Sequence, residues 1–151
     1  HVVKPLRLAA LKNVSIENMA VSDESGRCQI FVPVNRGVGI STEASLESVS
    51  GEFDSFWIEK VPLDSMGLGM VDLIKIDVEG HELKVLQGLF PLKSKKKVRF
   101  IQIESHEDDL YKDNSKDIIK LLNENGFYQE TSVKHGFGNF YDVIYKNKYF
   151  E

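Results

Sequence analysis

The sequence is short of the features that would place it outside ordinary soluble chemistry. It has one cysteine, Cys28, so no intrachain disulfide can form; this fits a reducing compartment, and a cytoplasmic location is the expectation. It has no apolar run near the ~20 residues that a bilayer-spanning helix requires. It has no basic excess: 19 Lys and Arg against 23 Asp and Glu give a net charge of −4, which argues against a broad electrostatic footprint for nucleic acid. Lys4 and Arg7 lie in an amphipathic stretch with no apolar segment after them, so no signal-peptide pattern is present. Internal repeats and low-complexity segments are also missing. So are a phosphate-binding Walker loop, H-E-x-x-H, C-x-x-C and G-x-S-x-G, and the spacing after Asp77 does not meet that of a calcium-binding EF-hand loop.

What is present reads as one globular domain over residues 1–151. The chain is 42% hydrophobic, 28% charged and 10% aromatic. A globular chain of this size buries about 70% of its unfolded surface, enough for a true core. It opens on His1 rather than Met, so the expectation is an internal or C-terminal part of something longer.

Periodicity predicts the elements. Val2 to Leu11 has helical spacing. Val14 to Val21 and Arg27 to Val34 alternate, with turn residues Asp23 to Gly26 between them, and read as hairpin partners. Asn35 to Gly51 has no period and is long enough to suspect a lid. Phe53 to Val61 reads as a strand whose Phe56 and Trp57 belong to the core. A helical turn follows near Asp64 to Leu68. Val71 to Asp77 is apolar on both faces, as in a covered parallel strand. His81 to Phe90 is a helix stopped by Pro91, and Lys93 to Lys97 is a basic turn. Val98 to Glu104 is a strand, and Ser115 to Asn125 is a helix stopped by Gly126. Phe127 to Val133 and Phe140 to Tyr145 are strands joined through His135 to Asn139, too closely for a crossover and hence antiparallel. The strand–helix–strand order from Val71 onward predicts a parallel sheet with right-handed crossovers, including the strand at 14–21.

The densest chemical signal is Lys75-Ile76-Asp77-Val78-Glu79-Gly80-His81-Glu82. Ligands of open α/β sheets bind beyond the carboxyl ends of the strands, which is where Asp77 and Glu79 fall. Glu104 ends the next strand and His106 follows it. If the two strands are neighbours, Asp77, Glu79, Glu104 and His106 share one rim and can act as bases or ligands. Against this stands a purely structural reading. Glu79 and Glu82 would complement the helix N-terminus, Asp77 would cap the turn, and Glu104 to Asp109 would be a solvated acidic loop.

Val71 through Gly88 closely resembles the signature stretch of the FkbM family of methyltransferases. The resemblance extends to Asn18-Met19-Ala20-Val21-Ser22-Asp23, to Val61-Pro62-Leu63-Asp64-Ser65-Met66 and to Phe100-Ile101-Gln102-Ile103-Glu104. It implies an α/β, Rossmann-like class I methyltransferase sheet, mostly parallel with an antiparallel C-terminal strand pair. It implies S-adenosylmethionine as cofactor, with Asn18, Met19, Ala20 and Asp77 on the cofactor side. It implies Asp77 and Glu79 at the rim beside the reactive methyl, to which the reading of the strand ends adds Glu104 and His106, and O-methylation of a hydroxyl on a small molecule or glycan acceptor; no metal ligand is named. The family's upstream glycine-loop strand and the acidic residue for the ribose are not found in this sequence, so the expectation is an N-terminally incomplete domain. A second function class is an inactive methyltransferase-like interaction or structural module, which the missing glycine loop favours. A third is a metal-dependent hydrolase on the same four rim residues.

Overall fold

A computed structural model describes residues 12–35, 38–39, 44–46, 51–90, 97–106, 109–134 and 140–150. The elements are β1 (Ala20–Val21), β2 (Gly26–Asn35), β3 (Val38–Gly39), β4 (Phe53–Val61), a 3-10 turn (Leu63–Met66), β5 (Val71–Ile76), α1 (Glu82–Leu89), β6 (Val98–His106), α2 (Asp109–Glu124), β7 (Phe127–Lys134) and β8 (Phe140–Asn147). The helix expected at Val2 to Leu11, most of the basic turn Lys93 to Lys97 and the connection His135 to Asn139 lie outside the described residues.

The strands form two sheets, ordered β1-β4-β2-β3 and β5-β6-β8-β7. This overturns the expected mostly parallel Rossmann-like sheet. Only β1 with β4 and β5 with β6 pair parallel; the other four pairings are antiparallel. The reason lies in the connections. A helix long enough for a parallel crossover separates β5 from β6, whereas no described helix lies between β2 and β4, and β8 inserts antiparallel between β6 and β7. The antiparallel pairing of the last two strands is as expected.

The hairpin expected between 14–21 and 27–34 does not form. β2 instead pairs with β4 over Gly26–Pro33 and Phe53–Lys60, and β1 is reduced to two residues beside Lys60 and Val61. Val14, expected inside a strand, is exposed. Helix α2 begins at Asp109, six residues earlier than its apolar period shows, so the acidic stretch ends in a helix.

The core is confined to the second sheet and its helices. Ile76, Val85, Leu86, Leu89, Val98, Ile101, Ile103, Leu122, Phe127 and Tyr145 are buried together. They come from the strands of the second sheet and from α1 and α2 packed on one of its faces. The opposite face is open: Leu73 is 50% exposed, contrary to the reading of β5 as covered on both sides, and β5 is an edge strand. Phe56 and Trp57 are also outside the core, at 56% and 62% exposed. They sit mid-strand on β4, away from the end of that sheet that α1 touches, and Arg27 lies over the Trp57 ring at 5.6 Å.

Helix α1 touches both sheets. A Cβ at Gly88 would lie 1.9 Å from the Ser22 carbonyl oxygen and 3.1 Å from Pro62 Cα, both backbone atoms that cannot give way. Glycine therefore stands in the last turn of α1 despite costing up to about 1 kcal/mol of helix propensity relative to alanine. Gly88→Ala is expected to lower stability by about 1–3 kcal/mol, the size of an overpacking penalty, instead of raising it as propensity alone predicts. Chemical denaturation of the variant beside the parent reads the sign directly.

Candidate active site at the carboxyl rim

β5 and β6 are parallel neighbours in register to Ile76 and Ile103, so Asp77, the first residue after β5, lies beside Glu104, which is still within β6. Glu104 is directly opposite Asp142 on β8. Like charges opposed across strands destabilise a sheet. Lys75 answers them: its Nζ donates to Asp77 Oδ2 at 2.7 Å. That bond raises the ammonium pKa, assisted by the charges of Asp142 and Glu104 and opposed by desolvation. The rim thus gathers three carboxylates around one lysine.

After Asp77 the chain turns through two left-handed residues, Glu79 at φ 50° and Gly80 at φ 95°. Such a conformation is uncommon for a glutamate and marks a turn held by its surroundings. Two contacts hold it. Ser45 Oγ donates to the Glu79 carbonyl at 2.7 Å, and the Gly80 N–H donates to Glu82 Oε1 at 3.1 Å. Glu82 is 6% exposed, so a buried carboxylate occupies the start of α1. The structural reading of Glu82 is correct on this point; that of Asp77 is not, because Asp77 binds Lys75 rather than capping the turn. Beyond Glu82 a cavity opens between β6, β8 and α2, lined among others by Glu104, Ser105, Ser115, Ile118 and Tyr145.

His106 ends β6 with its backbone opposite Phe140; its ring lies outside the described side chains. The cofactor-side candidates belong to the other sheet. Asn18 is exposed, Met19 is half-buried, and Ala20 pairs with Lys60. They reach the rim through Ser22, whose Oγ is 3.0 Å from His81 Nε2 in a buried contact. The sequence reading missed the roles of Ser22, Ser45 and His81. Ser22 and His81 lie inside the quoted motifs, but nothing in their spacing says that they meet. Among the described residues, no three His, Cys, Asp or Glu side chains are grouped to hold a metal ion.

With this geometry in place, the comparison with protein families is specific. The model of the methyltransferase FkbM domain matches residues 1–128, and the chain belongs to that family of methyltransferases. No curated protein and no solved structure matches the chain. Among the described residues, no helix is long and apolar enough to cross a membrane.

The Ser22 contact is braced by charge. Ser22 Oγ donates to Asp23 Oδ1 at 2.9 Å, and Lys84 Nζ donates to Asp23 Oδ2 at 2.8 Å. The Lys84 hydrogen bond is the main reason that the Asp23 carboxyl falls from 3.8 to about 2, with desolvation opposing. A carboxylate depressed on folding stabilises the fold above its unfolded pKa and ceases to do so as pH falls through its folded one. Stability is therefore expected to drop between pH 3.8 and about 2. The drop is about 1 kcal/mol once the partial exposure of the pair is allowed for. Lys84→Met should remove that part of the acid dependence in urea titrations across this window.

Proposed function

We propose that this protein takes part in S-adenosylmethionine-dependent O-methylation of a hydroxyl on a small molecule or sugar. The observation that carries the reading is the charge of the rim: Asp77, Glu104 and Asp142 around the single ammonium of Lys75. A rim of net negative charge favours a cationic ligand, and its carboxylates can act as acceptors for a hydroxyl proton. The start of α1 supports the same choice, because Glu82 accepts the Gly80 N–H that a phosphate would otherwise engage. The donor set thus fits a sulfonium better than a phosphorylated cofactor.

When bound, the cofactor supplies an electrophilic methyl group. The work of this chain's residues is positioning and proton removal. Asn18, Met19 and Ala20 flank the adenine, and Asp77 borders the cofactor with its charge balanced by Lys75. The acceptor approaches over the open face of the second sheet, where Asp77, Glu104 and Asp142 lie beside Lys75. Glu79 or Glu104 accepts the hydroxyl proton, and His106 assists at the end of the same strand. Most of the rate would come from alignment and electrostatics. The compartment proposed for this chemistry is the cytoplasm.

The test separates chemistry from folding. Loss of a general base typically costs ~100-fold to 10,000-fold in rate, whereas loss of a charge at a helix start costs about 0.3–1 kcal/mol of stability. Asp77→Asn, Glu79→Gln and Glu104→Gln are each expected to lower methyl transfer more than they lower the melting temperature. Turnover and melting are measured on the same preparations. Unchanged turnover with a lowered melting temperature in all three variants would assign these carboxylates to structure.

A further inference from the structure

We propose that Ser22 and His81 are positioning residues, whose hydrogen bond makes the two halves of the site move as one unit. The proposal rests on the reading of the rim as the place of methyl transfer. The cofactor-side segment Asn18–Ala20 leads into β1 of the first sheet, while Asp77 and Glu79 follow β5 of the second. Among the described residues no strand pairing joins the two sheets, and side chains and α1 bridge them.

Ser22 is 1% exposed and His81 is 8% exposed, and they meet at 3.0 Å across 59 residues of sequence. Each is anchored on its own side. The Ser22 N–H donates to the Val61 carbonyl at 3.0 Å, fixing it to β4. The His81 carbonyl accepts the Val85 N–H at 3.1 Å, fixing it to α1 two residues after Glu79.

The direction of the bond follows from its neighbours. The Ser22 hydroxyl has one hydrogen, and it goes to Asp23 Oδ1. Asp23 is ionised throughout ordinary pH and accepts only. The Ser22 oxygen must therefore accept from His81, which carries its proton on Nε2. A continuous chain results, from His81 to Ser22 to Asp23 and, through the Lys84 ammonium, back to α1. It closes on the helix that starts at the rim, so a shift of β1 is transmitted to the turn carrying Glu79. Ser45 adds a parallel link from the β2 side by holding the Glu79 carbonyl.

The experiment uses Ser22→Ala, His81→Leu and His81→Gln in the full chain, with Leu122→Val as a control that loosens the core away from the site. Amide hydrogen exchange is followed at Ser22 on one side and at Gly80 and His81 on the other. Nitrogen chemical shifts of the His81 ring report its tautomer. Ser22→Ala and His81→Leu are expected to speed exchange on both sides by about tenfold beyond the control, the equivalent of one net hydrogen bond. His81→Gln, whose amide reaches the same oxygen, is expected to restore most of it. Affinity for S-adenosylhomocysteine and turnover should fall in the same two variants and recover in His81→Gln.

Faster exchange confined to the mutated side overturns the coupling. Coupled exchange with cofactor affinity and turnover equal to those of Leu122→Val overturns the positioning role. If the parent itself neither binds S-adenosylhomocysteine nor transfers methyl, the methyltransferase reading fails, while exchange and the Nε2–H tautomer still decide whether the two halves are tied.

Discussion

Helix α1 lies against two sheets at once, and everything at the rim depends on that double contact. Its apolar stripe, Val85, Leu86 and Leu89, enters the core of the second sheet. The side flanking that stripe presses Gly88 onto the backbone of Ser22 and Pro62. A side chain at that position would push the helix off one surface or the other. With glycine there, the first turn of the helix comes within hydrogen-bond reach of β1, and His81 meets Ser22. The glycine that ends the signature stretch is thus far from the rim along the helix, yet it sets the spacing on which the rim relies.

The electrostatics follow from where the strands end. Alternation places Lys75, Asp77, Glu104 and Asp142 on the face of the second sheet opposite the packed helices. Side-by-side carboxylates in that arrangement work against folding, since Glu104 and Asp142 are direct cross-strand partners. A core optimised for stability alone would not retain them, and such clusters are enriched at functional sites. Glu82 differs because it faces the helix start and serves a backbone N–H. Two kinds of carboxylate therefore lie near the start of α1: Glu82 completes the backbone, and Asp77, Glu104 and Asp142 set the sign of charge on the open face beside it.

Local pattern made part of this legible before any coordinates. Strong apolar runs bounded by Pro91, Gly126 and the turn at Glu79-Gly80 marked β5, α1, β6, α2 and the last two strands to within a few residues, apart from the early start of α2. The neighbouring of Asp77 and Glu104 was conditional on β5 and β6 being adjacent, which they are. The first half was less legible because its pairing is set at long range. Residues 14–21 alternate as well as many strands do, but the partner of β2 lies beyond the intervening segment, on β4. Trp57 and Phe56 carried a core signal from residue type and from alternation along a strand, and neither can report which stretch of a strand lies under a helix. The Ser22–His81 bond joins two short polar residues in separate motifs, and no periodicity encodes such a meeting.

The unequal burial of the two sheets gives that bond its weight. Among the described residues, every buried apolar side chain lies at or after Ile76, and the first sheet contributes only Ser22 and Ser45 to the buried set before it. Regions with little buried apolar surface open at lower free energy than the core they adjoin. The segment Asn18–Ala20 belongs to the weaker sheet, and Asp77 and Glu104 belong to the stronger one. A ligand spanning both would otherwise have to supply the free energy of ordering one sheet against the other, at the expense of its affinity. The buried serines lie where that cost would arise: Ser22 reaches His81 and Ser45 reaches Glu79, both in the turn that opens α1. The polar residues that the first sheet buries are thus spent on alignment with the second, which explains why a sheet with so open a surface buries any polar side chains at all.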